Sequence, residues 1–250
     1  MQRFLKGSTS LFIAIPIHFS ASAFSFKIFA GKPSTARKHD TTLLQSSSCN
    51  GWTSLVPYDE SAVKKRLISE GCGEVSQEGS QIEIDYFGSI GETAWTASDV
   101  VQCWLKNQQG MGTLAPAFLG NDVDWRKLVD EAFFTDDFAK KTLGVESRLQ
   151  CKKLVNAARR LDKQTAECPP GTEFDSSRLK GPFKFVLGHG KAIRAIEILV
   201  RTMRQGETAE MICRADFAYG SEGLRKANGE VRIPPFATLC FRVTLLSCKL

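Results

Sequence analysis

The residues able to do chemistry in the second half of this chain are aromatic and aliphatic rather than nucleophilic. Gly171-Thr-Glu-Phe-Asp-Ser-Ser-Arg is followed by Phe183-Lys-Phe185, then by Phe217-Ala-Tyr-Gly, Ile233-Pro-Pro-Phe-Ala-Thr-Leu and a closing strand of alternating character. Such runs could line a dry pocket with few polar groups, a setting that favours the less dipolar of two states of a bound molecule. A hydrolase would instead show a nucleophile, a base and a group that orients the base. Eight cysteines, at 49, 72, 103, 151, 168, 213, 240 and 248, have no paired short spacing of the zinc type. No metal and no cofactor is expected, most cysteines read as small core residues or exposed thiols, and no disulfide partners are assigned.

The elements that must position these residues are mostly strands. Gln81-Ile-Glu-Ile-Asp-Tyr-Phe-Gly alternates, with Ile82, Ile84 and Tyr86 on one face, and residues 63–73 read as a strand running into a glycine turn. Residues 183–187, 211–214 and 238–246 predict further strands, 215–235 a long loop, and 192–203 a helix with Ile193, Ile196, Val200 and Met203 apolar, stopped by Gly206. An antiparallel sheet wrapped around one helix, an α+β fold, accommodates them. Residues 49–60 read as a linker.

The order and spacing of these motifs resemble the FKBP-type (immunophilin) peptidyl-prolyl isomerases, with a first half at 61–88 and a second at 171–250. The resemblance implies peptidyl-prolyl cis-trans isomerisation in aid of protein folding. Rotation about an X-Pro bond faces a barrier of ~18–20 kcal/mol, set by amide resonance. Because the twisted transition state is less dipolar than the planar amide, an apolar pocket favours it, and neither a nucleophile nor His189 is required. By the same resemblance Tyr86, Asp175, Ile193 and Tyr219 form the catalytic set, and Phe174, Phe183, Ile196, Phe241 and, at the rim, Ile233 bind substrate. Tyr219 would donate to a substrate carbonyl and the Ile193 N–H to another, while Asp175 would orient Tyr86 or Arg178, or receive a polarised carbonyl contact. Two departures stand out: Ile196 replaces the tryptophan that many active members carry at the pocket floor, implying reduced activity, and the loop 219–233 is longer and more polar than usual. The implied partners are proline-containing polypeptides and tacrolimus-like macrolides.

About 80 residues separate the two halves where the family has a short turn. From Trp95 the apolar period changes from two to about 3.6: Trp95, Val100, Val101, Trp104 and Leu105 share a face behind start signals at Thr96, Ser98 and Asp99. Cys151, Leu154, Val155, Ala158 and Leu161 form one stripe of a longer helix. Residues 94–162 therefore read as a helical subdomain with hinges at Gly88, Gly91 and Cys168-Pro-Pro-Gly171. The opening Trp95, Val123-Asp124 and Leu143-Gly144-Val145 before a basic last helix resemble a sterile alpha motif (SAM) domain, an all-α five-helix bundle; another helical bundle is the alternative. That resemblance implies self- or hetero-association. It fits the charges of the segment, with eight acids against three bases up to Asp137 and eight bases against two acids over 138–163. The second functional reading is accordingly a catalytically weak prolyl-binding chaperone or scaffold assembled through the insert.

The chain has 250 residues, 42% of them hydrophobic, and a formal charge of +6. Residues 1–50 contribute +5 of that charge, so a nucleic-acid partner is disfavoured. Residues 1–23 have a charged start, an apolar stretch over 11–19 and Ala21-Ser22-Ala23-Phe24, which together read as a secretory signal. Residues 24–50, rich in Ser, Thr and basic residues, are transit-like. The succession resembles the bipartite leader of algae with secondary plastids, implying a plastid location and no membrane anchor in the mature form; a plain signal peptide followed by a disordered linker, and the secretory pathway, is the alternative.

Overall fold

The structure, a computed structural model, describes residues 51–250. The leader read from the sequence lies outside the described residues. One antiparallel sheet carries the fold. Its strands are β1 (Trp52–Ser54), β2 (Val63–Ser69), β3 (Gln81–Ile90), β4 (Glu173–Ser176), β5 (Phe183–Val186), β6 (Thr208–Cys213) and β9 (Leu239–Lys249). They run in the order β1-β2-β6-β9-β3-β4, with β5 also on β3. Alternation decides which face of each strand is buried: Ile82 and Ile84 on β3, and Leu239, Phe241, Val243 and Leu245 on β9, all point into the core. The helix α6 (Arg194–Val200) crosses that face with Ala195, Ile196, Leu199 and Val200 buried.

Three expectations differ from the structure. Residues 52–54 are a strand rather than part of a linker, pairing Trp52 with Arg66, and Arg66 lies 4.9 Å from the Trp52 ring centroid. The loop 215–235 contains a 3₁₀ turn at Ala215–Phe217 and a small hairpin of β7 (Leu224–Arg225) and β8 (Val231–Ile233). Gly88 and Gly91, two of the expected hinge glycines, are held by the sheet. Gly88 sits inside β3, where an added Cβ would come within 2.7 Å of the Phe174 ring. The Gly91 N–H donates to Thr238 O at 2.8 Å, so it extends the sheet edge.

Between β3 and β4 every element is helical. A capping box joins Thr96 and Asp99 at the start of α1 (Ala97–Asp99), which continues into a π-helical turn, Val100–Trp104, and a 3₁₀ turn, Leu105–Asn107. Then come α2 (Ala115–Gly120), α3 (Trp125–Val129), α4 (Asp136–Lys141) and α5 (Arg148–Glu167). Asp124, Thr135 and Ser147 cap the last three. Their apolar residues, among them Trp104, Phe118, Leu128, Phe134 and Leu154, form a second core, which also takes in Ala215 and Phe236 from the other segment. Trp95 meets Phe236 edge-on at 6.4 Å.

Arg214, just after β6, is buried at this junction with 3% of its surface exposed. Its guanidinium donates to Asp59 at 2.6 Å, to Asp216 at 2.8 and 2.9 Å, and to Asp99. Asp99 in turn accepts from Ser61 at 2.5 Å and from the Thr96 N–H at 2.9 Å. Burial by itself would push the Asp99 carboxyl up, but these donors and the Arg214 charge outweigh it and hold the group below its ordinary range. Removing the guanidinium leaves Asp99 buried without its cation. Arg214→Ala should therefore lose about 3–5 kcal/mol of stability in urea denaturation, and a loss below 1 kcal/mol would show that the cluster does not join the two cores.

Candidate functional site

A cavity of about 160 Å³ opens between β3, β4, β5, α6 and the segment after β6. Its walls hold Tyr86, Phe174, Asp175, Phe183, Ile193, Ile196, Tyr219 and Phe241, eight of the nine site residues expected from the sequence, together with Ile84, Lys191 and Ala192. Ile233 is not among them: it is 1% exposed in the core, paired with Leu224 in the small hairpin.

Three positions make the aromatic wall possible. Gly88 pairs with both Asp175 and Phe241, and its missing side chain lets the edge of Phe174 approach the β3 backbone. Phe174 and Phe241 then meet edge-to-face at 5.5 Å, as do Tyr86 and Phe183 at 6.2 Å. Ser177, 4% exposed, fixes the turn after β4: the Tyr86 N–H donates to its Oγ at 3.0 Å and its hydroxyl donates to Asp85 at 2.7 Å. Ile196, held on the buried side of α6 at 5% exposure, gives an aliphatic floor.

The polar groups are few and placed at the edge. The Tyr86 hydroxyl donates to Asp175 Oδ2 at 2.8 Å. Lys180 and Arg232 reach Asp175 Oδ1 at 2.6 and 3.1 Å. Arg178 instead lies 5.4 Å from the Phe87 ring centroid, so the aspartate orients Tyr86 and not Arg178. Burial would raise the Asp175 pKa, but Lys180, Tyr86 and Arg232 together hold it below the ordinary value of 3.8. Tyr219 is shifted upward by burial first and the Asp175 charge second, so its hydroxyl keeps its proton at neutral pH. That hydroxyl makes no hydrogen bond among the described residues, and neither does the N–H of Ile193, the N-cap of α6. The arrangement offers two donors at the edge of an apolar cavity and one carboxylate already neutralised by its neighbours.

The sequence reading did not single out Ser177 or Lys191. Ser177 belonged to an Asp-Ser-Ser stretch indistinguishable from an ordinary polar turn. Lys191 stood in a glycine-rich polar run with no periodicity.

A sheet wrapped over one helix, with an aromatic cavity at its open end, defines a class that the comparisons identify. The family model for FKBP-type peptidyl-prolyl cis-trans isomerase matches residues 160–246. Over 80 residues the chain is 46% identical to FK506-binding protein 1 of Dictyostelium discoideum, covering 32% of this chain and 70% of that protein. It is 43% identical over 86 residues to peptidyl-prolyl cis-trans isomerase Fkbp12 of Drosophila melanogaster, covering 34% and 75%. The chain belongs to the FKBP-type peptidyl-prolyl cis-trans isomerase family. It also matches the rat peptidyl-prolyl cis-trans isomerase FKBP4, at 45% identity over 80 residues, which is 32% of this chain but 16% of that longer protein. The family match starts within α5, whereas β2 and β3 of the same sheet precede the helical segment.

Two tests follow from this geometry. The folded-state pKa of Asp175 is depressed, so the stability it contributes is complete above its unfolded value near 3.9 and is lost as pH falls through the lower folded value. Asp175→Asn should thus flatten the acid limb of stability below about pH 4 without changing the slope above pH 5; identical acid limbs would refute the pairing. Ser177→Ala leaves the Tyr86 N–H without its acceptor and should cost about 1–3 kcal/mol by thermal unfolding.

Proposed function

We propose that this protein catalyses cis-trans isomerisation of X-Pro bonds in polypeptides, with residues 61–88 and 171–250 as one discontinuous isomerase domain. The observation that carries the reading is the cavity: about 160 Å³, close to the roughly 150 Å³ that houses a benzene ring in an engineered protein core, and so suited to a single pyrrolidine ring. The ring rests on Ile196 between Phe174, Phe183 and Phe241. The Tyr219 hydroxyl donates to one substrate carbonyl and the Ile193 N–H donates to a second, both from fixed positions where little water competes. Tyr86, its hydroxyl taken by Asp175, acts as wall rather than donor. Turning the amide out of plane sacrifices resonance and charge separation, and the dry walls disfavour the planar, more dipolar form most. Ile196 keeps the floor apolar without a flat indole, which favours a modest rate. A tacrolimus-like macrolide would occupy the same cavity.

The helical segment, residues 94–162, we read as a SAM-like interaction domain, and the leader as plastid-targeting. What supports association is the surface of α5, where Lys152, Lys153, Arg159 and Arg160 have no carboxylate partner among the described residues. Dynamic light scattering should detect growth in size with concentration that disappears in the Lys152→Glu, Lys153→Glu double variant; a monomer at all concentrations would remove this part of the proposal.

For the isomerase itself, exchange between cis and trans prolyl peptides measured by NMR should be accelerated by the protein. Tyr219→Phe should lower kcat/KM about tenfold, the equivalent of one hydrogen bond of ~1.4 kcal/mol, with unfolding temperature nearly unchanged. Unaltered turnover in both Tyr219→Phe and Asp175→Ala would sink the assigned roles.

A further inference from the structure

The mouth of the cavity carries more positive than negative charge, and the excess comes from three separate segments. Lys191 lines the cavity, its ammonium donating to Lys184 O at 2.9 Å and standing 5.8 Å from the Phe183 ring centroid. Lys180, from the turn after β4, and Arg232, from β8, share the single oxygen Oδ1 of Asp175. Arg232 also donates to Phe174 O at 2.7 Å, which keeps it at the edge of the aromatic wall. Asp175 is the only carboxylate among the lining residues, and its other oxygen is taken by Tyr86. Acids on the neighbouring elements β3, β4 and α6 are engaged elsewhere: Glu83 with Lys184, Glu173 with the Ser176 hydroxyl, and Glu197 with Arg201 and the Gly190 N–H. One cation, Lys191, thus lines the opening, and two more, Lys180 and Arg232, stand against its one lining carboxylate.

We propose that the site selects prolines directly preceded by an acidic side chain, Asp or Glu. The inference rests on the prolyl-binding reading of the cavity. With the pyrrolidine ring inside, the preceding residue has its Cα only 3.8 Å from the proline Cα in the trans form and ~2.9 Å in the cis form. Its side chain cannot leave the mouth during the reaction. A carboxylate there meets Lys191 and the unshared N–H groups of Lys180 and Arg232; an ammonium meets the same cations, and the one lining carboxylate, Asp175, is already paired. Attraction of one and exclusion of the other both contribute to the discrimination. Each solvent-exposed pair changes affinity by only about 1.4- to 5-fold, so the combined preference of Glu over Lys is about tenfold.

The experiment compares three short peptides that differ only in the residue before proline: Glu, Gln or Lys. For each, kcat/KM of isomerisation and Kd from NMR titration are measured with the full protein and with Lys191→Glu, at about 0.01 M and 1 M salt, where the screening length is ~30 and ~3 Å. Expected is the order Glu, Gln, Lys, with a ratio near tenfold between the ends at low salt, falling to about twofold at high salt and erased or inverted in Lys191→Glu. Equal values for Glu and Lys at low salt, in both turnover and affinity, overturn the inference. If all three peptides turn over alike, the isomerase reading survives and the selectivity fails. If none turns over but the Glu peptide binds most tightly, the selectivity stands and the isomerase reading fails; absence of both binding and turnover defeats the two together.

Discussion

The pairing of β3 with β9 is the constraint on which the rest of this structure depends. It runs from Gln81 opposite Lys249 to Ile90 opposite Leu239, interrupted by one irregularity between Glu83 and Ile84. Because β3 is held along its whole length from that side, the place where it ends does not depend on a tight turn into β4. The chain can leave at Gly91 and return at Gly171, where the Gly171 N–H donates to Ile90 O at 2.8 Å and the Ile90 N–H to Thr172 O at 2.9 Å. Lengthening a connection costs only about 0.6 kcal/mol per doubling, so a ladder of this length tolerates a folded guest. The same register puts Gly88 opposite Phe241, and without that contact the aromatic wall would have to move outward.

The guest is nevertheless not suspended on its two ends. Arg214 draws Asp59, Asp99 and Asp216 into one buried cluster, and Asp99 belongs to the first helical turn of the insert. Phe236 reaches the second core from a positive φ of 61°, a conformation that costs a bulky residue of order 1–3 kcal/mol and persists only where packing imposes it. Its N–H donates to Gly220 O at 2.9 Å, next to Tyr219, and Ala215 of the preceding turn is buried in the same second core. The segment that presents the Tyr219 hydroxyl is therefore packed between the cavity and the helices, so the helical segment shares in setting where that donor stands.

Much of this was legible in the sequence for reasons that are local. Period-two alternation at Ile82, Ile84 and Tyr86 and the 3.6 period at Cys151, Leu154, Val155, Ala158 and Leu161 reflect direct burial, and the structure buries these positions or packs them on the cores. Thr96 with Asp99 is a short-range capping signal, and the cap is made. What escaped depends on contacts between distant residues. Trp52–Ser54 is too short to alternate and becomes a strand only because β2 offers an edge. Nothing local distinguishes Arg214 from a surface arginine, since its partners lie at 59 and 99 as well as 216. Ile233, in an Ile-Pro-Pro run with an outward-looking context, turns inward because Leu224 pairs with it.

The site divides its labour between a floor that excludes charge and a rim that concentrates it. Ile196, Phe174 and Phe241, each under 10% exposed, offer a dipolar amide no polar partner from the floor. Asp175 would undo that if it faced the cavity as a free anion, since a carboxylate near the floor would attract water and stabilise the planar amide's positive end. Lys180, Arg232 and the Tyr86 hydroxyl occupy both of its oxygens instead. The carboxylate becomes a structural tie that sets the ring of Tyr86 against Phe183, and the cations recruited to neutralise it are left over at the rim. Placing one acid beside a pocket that must stay dry thus requires cations at that acid, and Lys180 and Arg232 supply them.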